Sequence, residues 1–431
     1  MNTPSGQQEK LLSDLQSDAF NYFVHEVNPV NGLVRDCTKE GWPSSIAAVG
    51  MALAAYPVGV EHGFITRADA IARTLTKLRF FDASEQSDGP TASGYKGFYY
   101  HFLDMQTGRR AWECELSTMD STLLIAGMLA AAAYFDRQTA DEAEIRRLAN
   151  QLYSRADWQW AMGNGVTLSH GWCPETGFLA SRWDGYDECT LAYILALRSP
   201  TSPLPVDSYV THRSTCQWRK VYDYEYLYSG PLFTHQFSHI WIDFRGIQDK
   251  FIAEHDLDYF ENSRRATYVQ REYAKRNPNG FKGYSELCWG LTACEGPGPQ
   301  KLIIDGVERV FFDYIARGVP DGPDDGTVAP WAVVASLPFA PEIVLPALEH
   351  FNKMDIGVNH PYGLEATFNS TFPDEKCREC GWLSPWHFGI NQGPIVLMIE
   401  NHRTELLWQL MKQCPYLVNG LQRAGFSGGW L

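Results

Sequence analysis

Apolar residues recur at helical spacing along most of the chain. Leucine, alanine and aromatic side chains three or four residues apart over 11–27 predict an amphipathic helix. The segment 46–56 is small and apolar on nearly all sides, which is typical of a helix buried in a core. Similar patterns, some of them preceded by capping residues, predict further helices after Thr66 and over 121–135, 139–162, 191–197, 235–243, 256–275, 332–337, 342–354 and 393–411.

Strand patterns are few and short. An aromatic run over 95–103 predicts a strand, 165–180 predicts a hairpin, and 302–314 predicts a hairpin or a strand. Roughly twelve helices joined by short loops favour antiparallel neighbours, and the absence of a repeat of fixed length counts against the common solenoid families. No linker or composition break divides the chain. We therefore expect an all-α fold, built as one closed helical barrel over 1–431 with the longer loops at one rim.

Composition excludes some classes of partner. The 431 residues are 45% hydrophobic, yet no run approaches the roughly 20 apolar residues of a membrane span, so we expect no membrane partner. A net charge of −15 argues against nucleic acid, because phosphate binding needs clustered Lys and Arg. The 14 Trp, 21 Tyr and 23 Phe are typical of an extended binding groove as well as of a large core.

The N-terminus and the cysteines bear on the cellular compartment. Residues 1–10 are polar and lack an apolar signal core, so the chain as it stands is expected in the cytoplasm with reduced thiols. Removal of a leader would instead indicate a periplasmic or secreted protein. Cys377 and Cys380 form a lone CxxC without a second pair, whereas a structural zinc site needs four ligands. We expect no metal and no cofactor.

The stretch 182–188 places carboxylates and aromatic rings in front of the apolar helix predicted over 191–197. Glu188 is predicted in the first turn of that helix, where packing fixes its position and its charge faces the positive helix end. Trp183 and Tyr186 offer apolar faces on which a sugar ring stacks, and a fixed carboxyl beside them can protonate a glycosidic oxygen. A glutamate that only stabilises its own helix would give the same pattern.

Glycoside hydrolysis needs one carboxylic acid that protonates the leaving oxygen and one carboxylate that acts as base or nucleophile. Asp120 is also well placed to cap its own helix, and Glu115 to be an exposed loop acid. Asp321, Asp324 and Asp325 lie in a loop rich in Gly and Pro, where two interpretations stay open: they line the binding groove, or they are ordinary turn formers. The candidates for the two catalytic carboxyls, each of which precedes or begins a helix or a short apolar segment, are Glu113, Glu115, Asp120, Asp184, Asp187, Glu188 and Glu286.

Polar and aromatic side chains that contact sugar hydroxyls and sugar faces are predicted near two further helix starts. Amide and imidazole groups suit hydroxyls, and indoles suit sugar faces. His235 and His239 have the i, i+4 spacing of a metal pair, but no glutamate follows His235 directly, so the zinc-protease motif is absent. Besides Trp183 and Tyr186, the candidates for substrate binding are Asp187, His235, Gln236, Glu286, Trp382, Trp386, Asn391 and Gln392.

Several motifs together resemble one known family. The segment 114–120 reads Cys-Glu-Leu-Ser-Thr-Met-Asp and resembles its CELSTID motif, and 185–188 followed by 193–201 resembles GYNE…YILALGSPT. The segments 233–239, 289–293 and 393–401 match further motifs. All belong to the glucoamylase-like family that contains the β-1,2-glucanases of glycoside hydrolase family 144. The matches run in order over nearly the whole chain.

The resemblance implies a fold, an activity and residue roles. The implied fold is an (α/α)6 barrel, a double ring of antiparallel helices with small β-hairpins in the rim loops. The implied activity is hydrolysis of linear β-1,2-glucan to sophorose or short sophoro-oligosaccharides, mostly with inversion. By motif, Glu188 is implied as general acid and Asp120 as the residue that holds the sugar near the cleaved bond.

Two positions depart from the family pattern. Relatives usually read IDQG, with the Asp as base, where this chain has Asn391, and asparagine cannot accept a proton at neutral pH. Relatives usually carry Asn where Asp187 stands. Three explanations stay open for Asn391: a replacement that traps substrate, another carboxylate such as Glu115 as base, or an altered activity. An altered activity would be glycosyl transfer, hydrolysis of another glucan, or glucan binding with weakened catalysis.

Overall fold

Helices dominate the structure, a computed structural model that describes residues 5–354, 356–357, 361–374 and 380–431. They pack in two layers. The helices of the described residues are α1 (Gly6–His25), α2 (Ile46–Glu61), α3 (Arg67–Ala83), α4 (Thr118–Tyr134), α5 (Ala140–Arg155), α6 (Trp158–Ala161), α7 (Thr190–Leu197), α8 (Val206–Ser214), α9 (Phe237–Trp241), α10 (Lys250–Ala253), α11 (Tyr259–Arg276), α12 (Pro330–Ala335), α13 (Pro341–Lys353), α14 (Gly389–Arg403), α15 (Leu406–Lys412) and α16 (Pro415–Arg423).

An inner ring is formed by α2, α4, α7, α9, α12 and α14. Nearly all residues of these helices are buried, as expected for helices that are apolar on all sides. Consecutive members contact one another from α2 to α9. The ring of Phe237 in α9 then lies 6.2 Å from that of Trp331 in α12. The circle closes because α12 contacts α14 and α14 contacts α2.

Outer helices cover this ring. The helix α1 contacts α2 and α14, α3 contacts α2, α5 contacts α4, α16 contacts α7, and α13 contacts α12. The helix α11 packs on the 3-10 helix Leu232–His235, which leads into α9. Outer helices return the chain between inner helices, so the N-terminal ends of the inner helices share one rim, which we call the mouth. This double ring is the (α/α)6 barrel, and the all-α fold class is confirmed.

Short antiparallel strands occupy the rim loops. The largest sheet has the order β2-β3-β5-β6-β7, and the remaining strands pair as β1 with β4, β8 with β9, β10 with β13, β11 with β12 and β14 with β15. In the described residues the strands are β1 (Ser44–Ser45), β2 (Gly94–Tyr95), β3 (Phe98–Tyr100), β4 (Phe102–Leu103), β5 (Leu116–Ser117), β6 (Gly171–Cys173), β7 (Gly177–Phe178), β8 (Trp218–Val221), β9 (Tyr224–Leu227), β10 (Ala293–Cys294), β11 (Gln300–Ile304), β12 (Val307–Phe311), β13 (Ile315–Ala316), β14 (Phe368–Asn369) and β15 (Trp382–Leu383).

Several predicted boundaries are wrong. The helix predicted over 139–162 is two helices, because the Asp157 side chain caps a new start, α6, after α5 has ended. The last predicted helix begins earlier, at Gly389, and ends at Arg403 before α15. The strand predicted over 95–103 is divided among β2, β3 and β4.

The cysteine chemistry differs in part from the expectation. Eight cysteines in the described part of the chain are free thiols. Cys380 is disulfide-bonded, so the expectation of reduced thiols fails at this residue. Cys377, the other cysteine of the CxxC, lies outside the described residues. Of the helices that the structure describes, none combines the length and apolar character needed to cross a membrane.

A buried lysine between α2 and α3 lowers the stability of the barrel. Lys77 is 1% exposed and donates to the Tyr56 hydroxyl at 2.7 Å. Burial, reinforced by the charge of Arg73, lowers the pKa of Lys77 from 10.5 to about 7. The unfolded chain therefore binds the proton more tightly than the folded chain, and stability rises with pH between about 7 and 10.5.

Replacing Lys77 with Met is expected to stabilise the protein at pH 7. Methionine fills a similar volume without a charge to desolvate, and the Tyr56 hydroxyl keeps its bond to the Phe23 carbonyl at 3.1 Å. We expect a gain on the order of 2–4 kcal/mol at pH 7 that shrinks towards pH 10.5. Urea unfolding at both pH values measures it. Lys10→Met, at an exposed lysine of α1, is the control; equal effects of the two variants would contradict the assignment.

Candidate active site

The mouth gathers the main acidic candidates. Asp120 and Asn391 are each the third residue of an inner helix, α4 and α14. Glu115 directly precedes β5, which leads into α4. Glu188 lies in the turn before α7, which begins at Thr190, so the prediction that Glu188 lies within the first helical turn is wrong. Its position immediately in front of a buried helix is as predicted.

Glu188 is fixed through its backbone and shielded from water. The Ser238 hydroxyl donates to the Glu188 carbonyl at 2.6 Å and accepts from the Leu191 amide at 3.1 Å, which joins the starts of α7 and α9. Glu188 is 9% exposed. Burial, followed by the negative charges of Asp187 and Asp120, raises the pKa of Glu188 to about 8. A carboxyl with this pKa keeps its proton at neutral pH, as a general acid must.

His101 joins the two other predicted acids into one charged cluster. Its Nδ1 lies 2.9 Å from Glu115 Oε1, and its Nε2 lies 3.5 Å from Asp120 Oδ1. Burial opposes the imidazolium, but the charges of Asp120, Glu115 and Asp36 raise the pKa of His101 to about 9. Burial likewise opposes the Glu115 carboxylate, but the bond and the charge of His101 lower the pKa of Glu115 overall. At neutral pH the His101 imidazolium therefore pairs with the Glu115 carboxylate, and Asp120 lies 3.5 Å from its other nitrogen.

Asp36 is a further carboxyl at the mouth, on the loop beside the start of α14. Its carbonyl accepts from the Gly389 amide at 2.9 Å, two residues before Asn391. The Trp42 indole donates to Asp36 Oδ2 at 3.2 Å. Burial raises the pKa of Asp36 to about 6, although the charge of His101 and the Trp42 bond lower it. Asp36 is therefore held at the mouth beside the start of α14, the helix that carries Asn391.

Tyr314 is an exposed residue near these groups. It precedes β13, and its side chain is 68% exposed. Desolvation of its hydroxyl raises the pKa of Tyr314, and nearby groups that include Asp36, Asp120 and Glu188 raise this pKa further. We call the surface around this exposed residue and the three carboxyls the candidate cleft.

The pair Asn391 and Gln392 lies at this cleft with little exposure. Asn391 is 7% exposed, and among the described residues no partner hydrogen-bonds its side chain. Gln392 is 1% exposed, and its Nε2 lies 3.2 Å from His387 Nδ1. An amide at 391 can hydrogen-bond a sugar or a water but cannot take a proton, so the base must be another group.

Three predicted tryptophans remain available to a sugar. Trp183 is half-buried, with one face stacked 3.9 Å from His170 and its Nε1 donating to Thr118 Oγ1 at 2.9 Å, at the start of α4. Trp382 in β15 and Trp386 just before α14 are also half-buried. These positions suit stacking on a sugar face, and all three stay candidates.

Four predicted substrate-binding residues are not at the cleft surface. Tyr186 is 8% exposed and packs between the rings of His235 and Tyr259. His235 is 1% exposed and bonds a backbone carbonyl, and Gln236 donates to the Ala332 carbonyl at 2.7 Å in α12. Glu286 lies in an exposed turn, and within the described chain no contact joins it to the acidic cluster. We therefore no longer assign these four to substrate.

The loop acids are structural. Asp325 pairs with Arg317 at 2.8 Å, and both side chains are fully buried. Asp324 accepts from the Tyr284 hydroxyl at 2.7 Å. Asp321 forms an ion pair nearer the surface. These acids hold the loop before α12, in agreement with their interpretation as turn residues.

One group of side chains in the described part of the chain has metal-like spacing: Asp187, Cys189 and His212. Its contacts favour a hydrogen-bond network instead. Asp187 accepts from the Cys189 amide at 3.0 Å, and the Arg213 guanidinium lies 3.5 Å from His212 Nε2. Burial and then the charge of Arg213 lower the pKa of His212 to about 3. A fixed guanidinium at this position opposes a bound cation. Burial also raises the pKa of Asp187, to about 6.

Comparison with known proteins places this site in a family. Residues 180–415 match the Glycoamylase family model ("Putative glucoamylase"), a span that contains Glu188 and Asn391. The chain belongs to the glycoamylase family. A family structure of the same description from Bacteroides uniformis is 30% identical, covers 100% of both chains and superposes with a TM-score of 0.85.

Two relatives carry more specific names. An endo-β-1,2-glucanase from Chitinophaga pinensis, in complex with sophorotriose and glucose, is 25% identical over 100% of both chains with a TM-score of 0.84. A curated protein from Parabacteroides distasonis, an exo β-1,2-glucooligosaccharide sophorohydrolase acting at the non-reducing end, is 27% identical over 96% of this chain. This chain spans 58% of the length of that relative.

Proposed function

We propose that the chain is a glycoside hydrolase that cleaves β-1,2-glucan to sophorose or short sophoro-oligosaccharides with inversion of the anomeric centre. One observation carries the proposal: a buried glutamic acid with a raised pKa at the mouth of an (α/α)6 barrel, beside an ionised carboxylate cluster. The named activities of the Chitinophaga and Parabacteroides relatives support the substrate class. We further propose that residues 1–431 form one barrel domain whose side chains carry out the reaction without a metal or cofactor.

The proposed reaction begins at Glu188. Its carboxyl donates a proton to the glycosidic oxygen while the bond from that oxygen to the anomeric carbon breaks. Water attacks the opposite face of the ring, and the proton that it loses passes to a carboxylate, directly or through a sugar hydroxyl. Asp120, bonded by Ser117 and next to His101, is placed to hold the sugar beside the cleaved bond. Trp183 then stacks against a sugar face.

Asp36 is our choice for the proton acceptor. Asn391 cannot take the proton, and the bond to His101 lowers the pKa of Glu115, which makes Glu115 the weaker base. The pKa of Asp36, about 6, leaves it ionised at neutral pH but still able to accept a proton. Together with a Glu188 pKa of about 8, this predicts activity that rises through about pH 6 and falls above about pH 8.

The base is tested by Asp36→Asn alone and together with Asn391→Asp. We expect Asp36→Asn to lower kcat by about 10²–10⁴-fold, the usual contribution of a general base. Asn391→Asp introduces a carboxylate at the start of α14, beside the loop that carries Asp36. The double variant should therefore regain part of the rate. Its activity should rise with pH as the new carboxyl loses its proton. A purely structural role of Asp36 would give no rescue. Full activity of the single variant would assign the proton to another carboxylate.

Asn391 also favours a second function, glucan binding with weakened catalysis or glycosyl transfer on the same barrel. A product screen separates these functions. Purified protein is incubated with linear and cyclic β-1,2-glucan, cellulose, laminarin and starch, with and without acceptor sugars. We expect sophorose or short sophoro-oligosaccharides from linear β-1,2-glucan only. Binding without products indicates a glucan-binding protein, longer chains with acceptor indicate a transferase, and products from another glucan overturn the substrate.

A further inference from the structure

Trp112 is exposed at the edge of the mouth, on a loop with unusual backbone geometry. Its side chain is 56% exposed, although it is one of the largest apolar groups of the chain. Both Trp112 and Glu113 have positive φ, 55° and 53°, in the left-handed region that bulky residues rarely adopt. Such a conformation persists only where its surroundings impose it, and it is enriched at binding sites.

Arg110 imposes this conformation. Its Nε donates to the Cys114 carbonyl and its guanidinium NH2 to the Glu113 carbonyl, each at 2.6 Å. The guanidinium also pairs with Glu175 at 2.7 Å, and the Arg110 side chain is only 2% exposed. Arg110 therefore fixes the backbone of the loop, while the Trp112 ring remains exposed to water. A ring held in place before binding loses little conformational entropy when a ligand stacks on it.

An unbroken series of ring contacts connects Trp112 with the acidic cluster. Its ring lies 5.2 Å from Phe102, and Phe102 stacks on His101 at 4.0 Å and 10°. On the other side Trp112 meets Trp42 edge-on at 4.7 Å. Trp42 in turn donates to Asp36. The surface formed by Trp42 and Trp112, which we call the tryptophan edge, thus continues the candidate active site.

We propose that the tryptophan edge is an additional glucosyl subsite, on which a β-1,2-glucan chain stacks beyond the units that flank the cleaved bond. Indole faces bind the apolar faces of pyranose rings. The Lys39 ammonium, 4.5 Å from the Trp42 ring centroid, supplies a donor for sugar hydroxyls. The subsite rests on the proposed function for its ligand. It binds long chains more tightly but adds nothing for a disaccharide held at the cleaved bond.

Binding to a catalytically silent background tests the subsite. Glu188→Gln is combined with Trp112→Ala, and affinities for linear β-1,2-glucan and for sophorose are measured by calorimetry. We expect the glucan to bind about tenfold more weakly, about 1.4 kcal/mol, and sophorose to change by less than about twofold. Trp112→Phe keeps a ring and should retain most of the affinity. Trp430→Ala is the control, because Trp430, like Trp42, lies under a lysine ammonium but bonds to the Asp243 carbonyl at the opposite rim.

Each result decides between defined alternatives. Unchanged glucan affinity in Trp112→Ala, or equal losses for glucan and sophorose, overturns the subsite and leaves the proposed function standing. A parent Glu188→Gln protein that binds no β-1,2-glucan overturns the proposed function and the subsite together. Thermal unfolding detects a folding defect. A Trp112→Ala melt below that of Trp112→Phe, with affinity lost for both ligands, assigns Trp112 a structural role and also overturns the subsite.

Discussion

Glu188→Gln is expected to lower kcat on β-1,2-glucan by about 10²–10⁴-fold while glucan binding persists. The amide has the shape of the carboxyl but cannot donate an acidic proton. The backbone bond from Ser238 to the Glu188 carbonyl, which fixes the turn before α7, does not involve the side chain. In the unchanged protein, kcat/KM should also fall above about pH 8, because Glu188 ionises there and loses the proton that it must donate.

Initial rates and binding isotherms of Glu188→Gln measure both effects. The variant should melt no lower than the unchanged protein, because the substitution removes a carboxyl that is buried beside Asp187. Glu254→Gln, at an exposed glutamate that follows α10, is the matched control and should keep full activity. Near-normal turnover in Glu188→Gln would show that another group donates the proton.

His101→Gln is expected to lower kcat/KM by about 10²-fold and the free energy of unfolding by about 1–3 kcal/mol at pH 7. Without the imidazolium, Glu115 and Asp120 repel each other, and the carboxylate that holds the sugar moves. The folded-state pKa of His101, about 9, lies above its ordinary value of 6.5. Its contribution to stability is therefore complete below about pH 6.5 and is lost as the pH rises through about 9.

Lys77 contributes with the opposite sign in the same pH range, so the two effects partly cancel in the unchanged protein. The Lys77→Met variant lacks the increase of stability with pH that Lys77 contributes. In that background we expect stability to fall between about pH 7 and 9, and His101→Gln should reduce the fall to the part below about pH 8 that the raised pKa of Glu188 contributes. Urea unfolding at several pH values measures it. A fall between about pH 8 and 9 that survives the loss of His101 would mean that the histidine is neutral in the folded protein.

The barrel was largely predictable because its inner helices are apolar on all sides. The apolar side chains over 46–56 and 191–197 point in all directions, so these helices avoid water only when other elements surround them. Both segments form inner helices. Boundaries were harder, since α5 ends at Arg155 and Asp157 caps the start of α6 within a continuous helical pattern. The strands β8 and β9 form a hairpin where no element was predicted, because its two-residue turn, Tyr222 and Asp223, lacks the glycine that usually marks such a turn.

The site was predictable only in its sequence-local parts. Glu188 and Asp120 stand next to helix starts that the pattern reveals. His101 and Asp36 lack such a signal, because their roles depend on tertiary contacts. His101, just before β4, lies beside Asp120 of α4. Asp36, in the loop before β1, lies beside the start of α14. The prediction that Tyr186 stacks on a sugar was wrong for the converse reason. A tyrosine next to a candidate acid is typical of a sugar-binding site, but tertiary packing places the Tyr186 ring between those of His235 and Tyr259.

A crystal structure of Glu188→Gln with a sophoro-oligosaccharide tests the proposed proton donor most directly. We predict that the side chain at 188 lies within hydrogen-bond distance, about 3 Å, of an interglycosidic oxygen at the mouth. Asp120 should contact the sugar on one side of that bond, and a water should lie on the opposite ring face near Asp36. A sugar bound away from the mouth, or a residue 188 that reaches no glycosidic oxygen, would contradict the proposal.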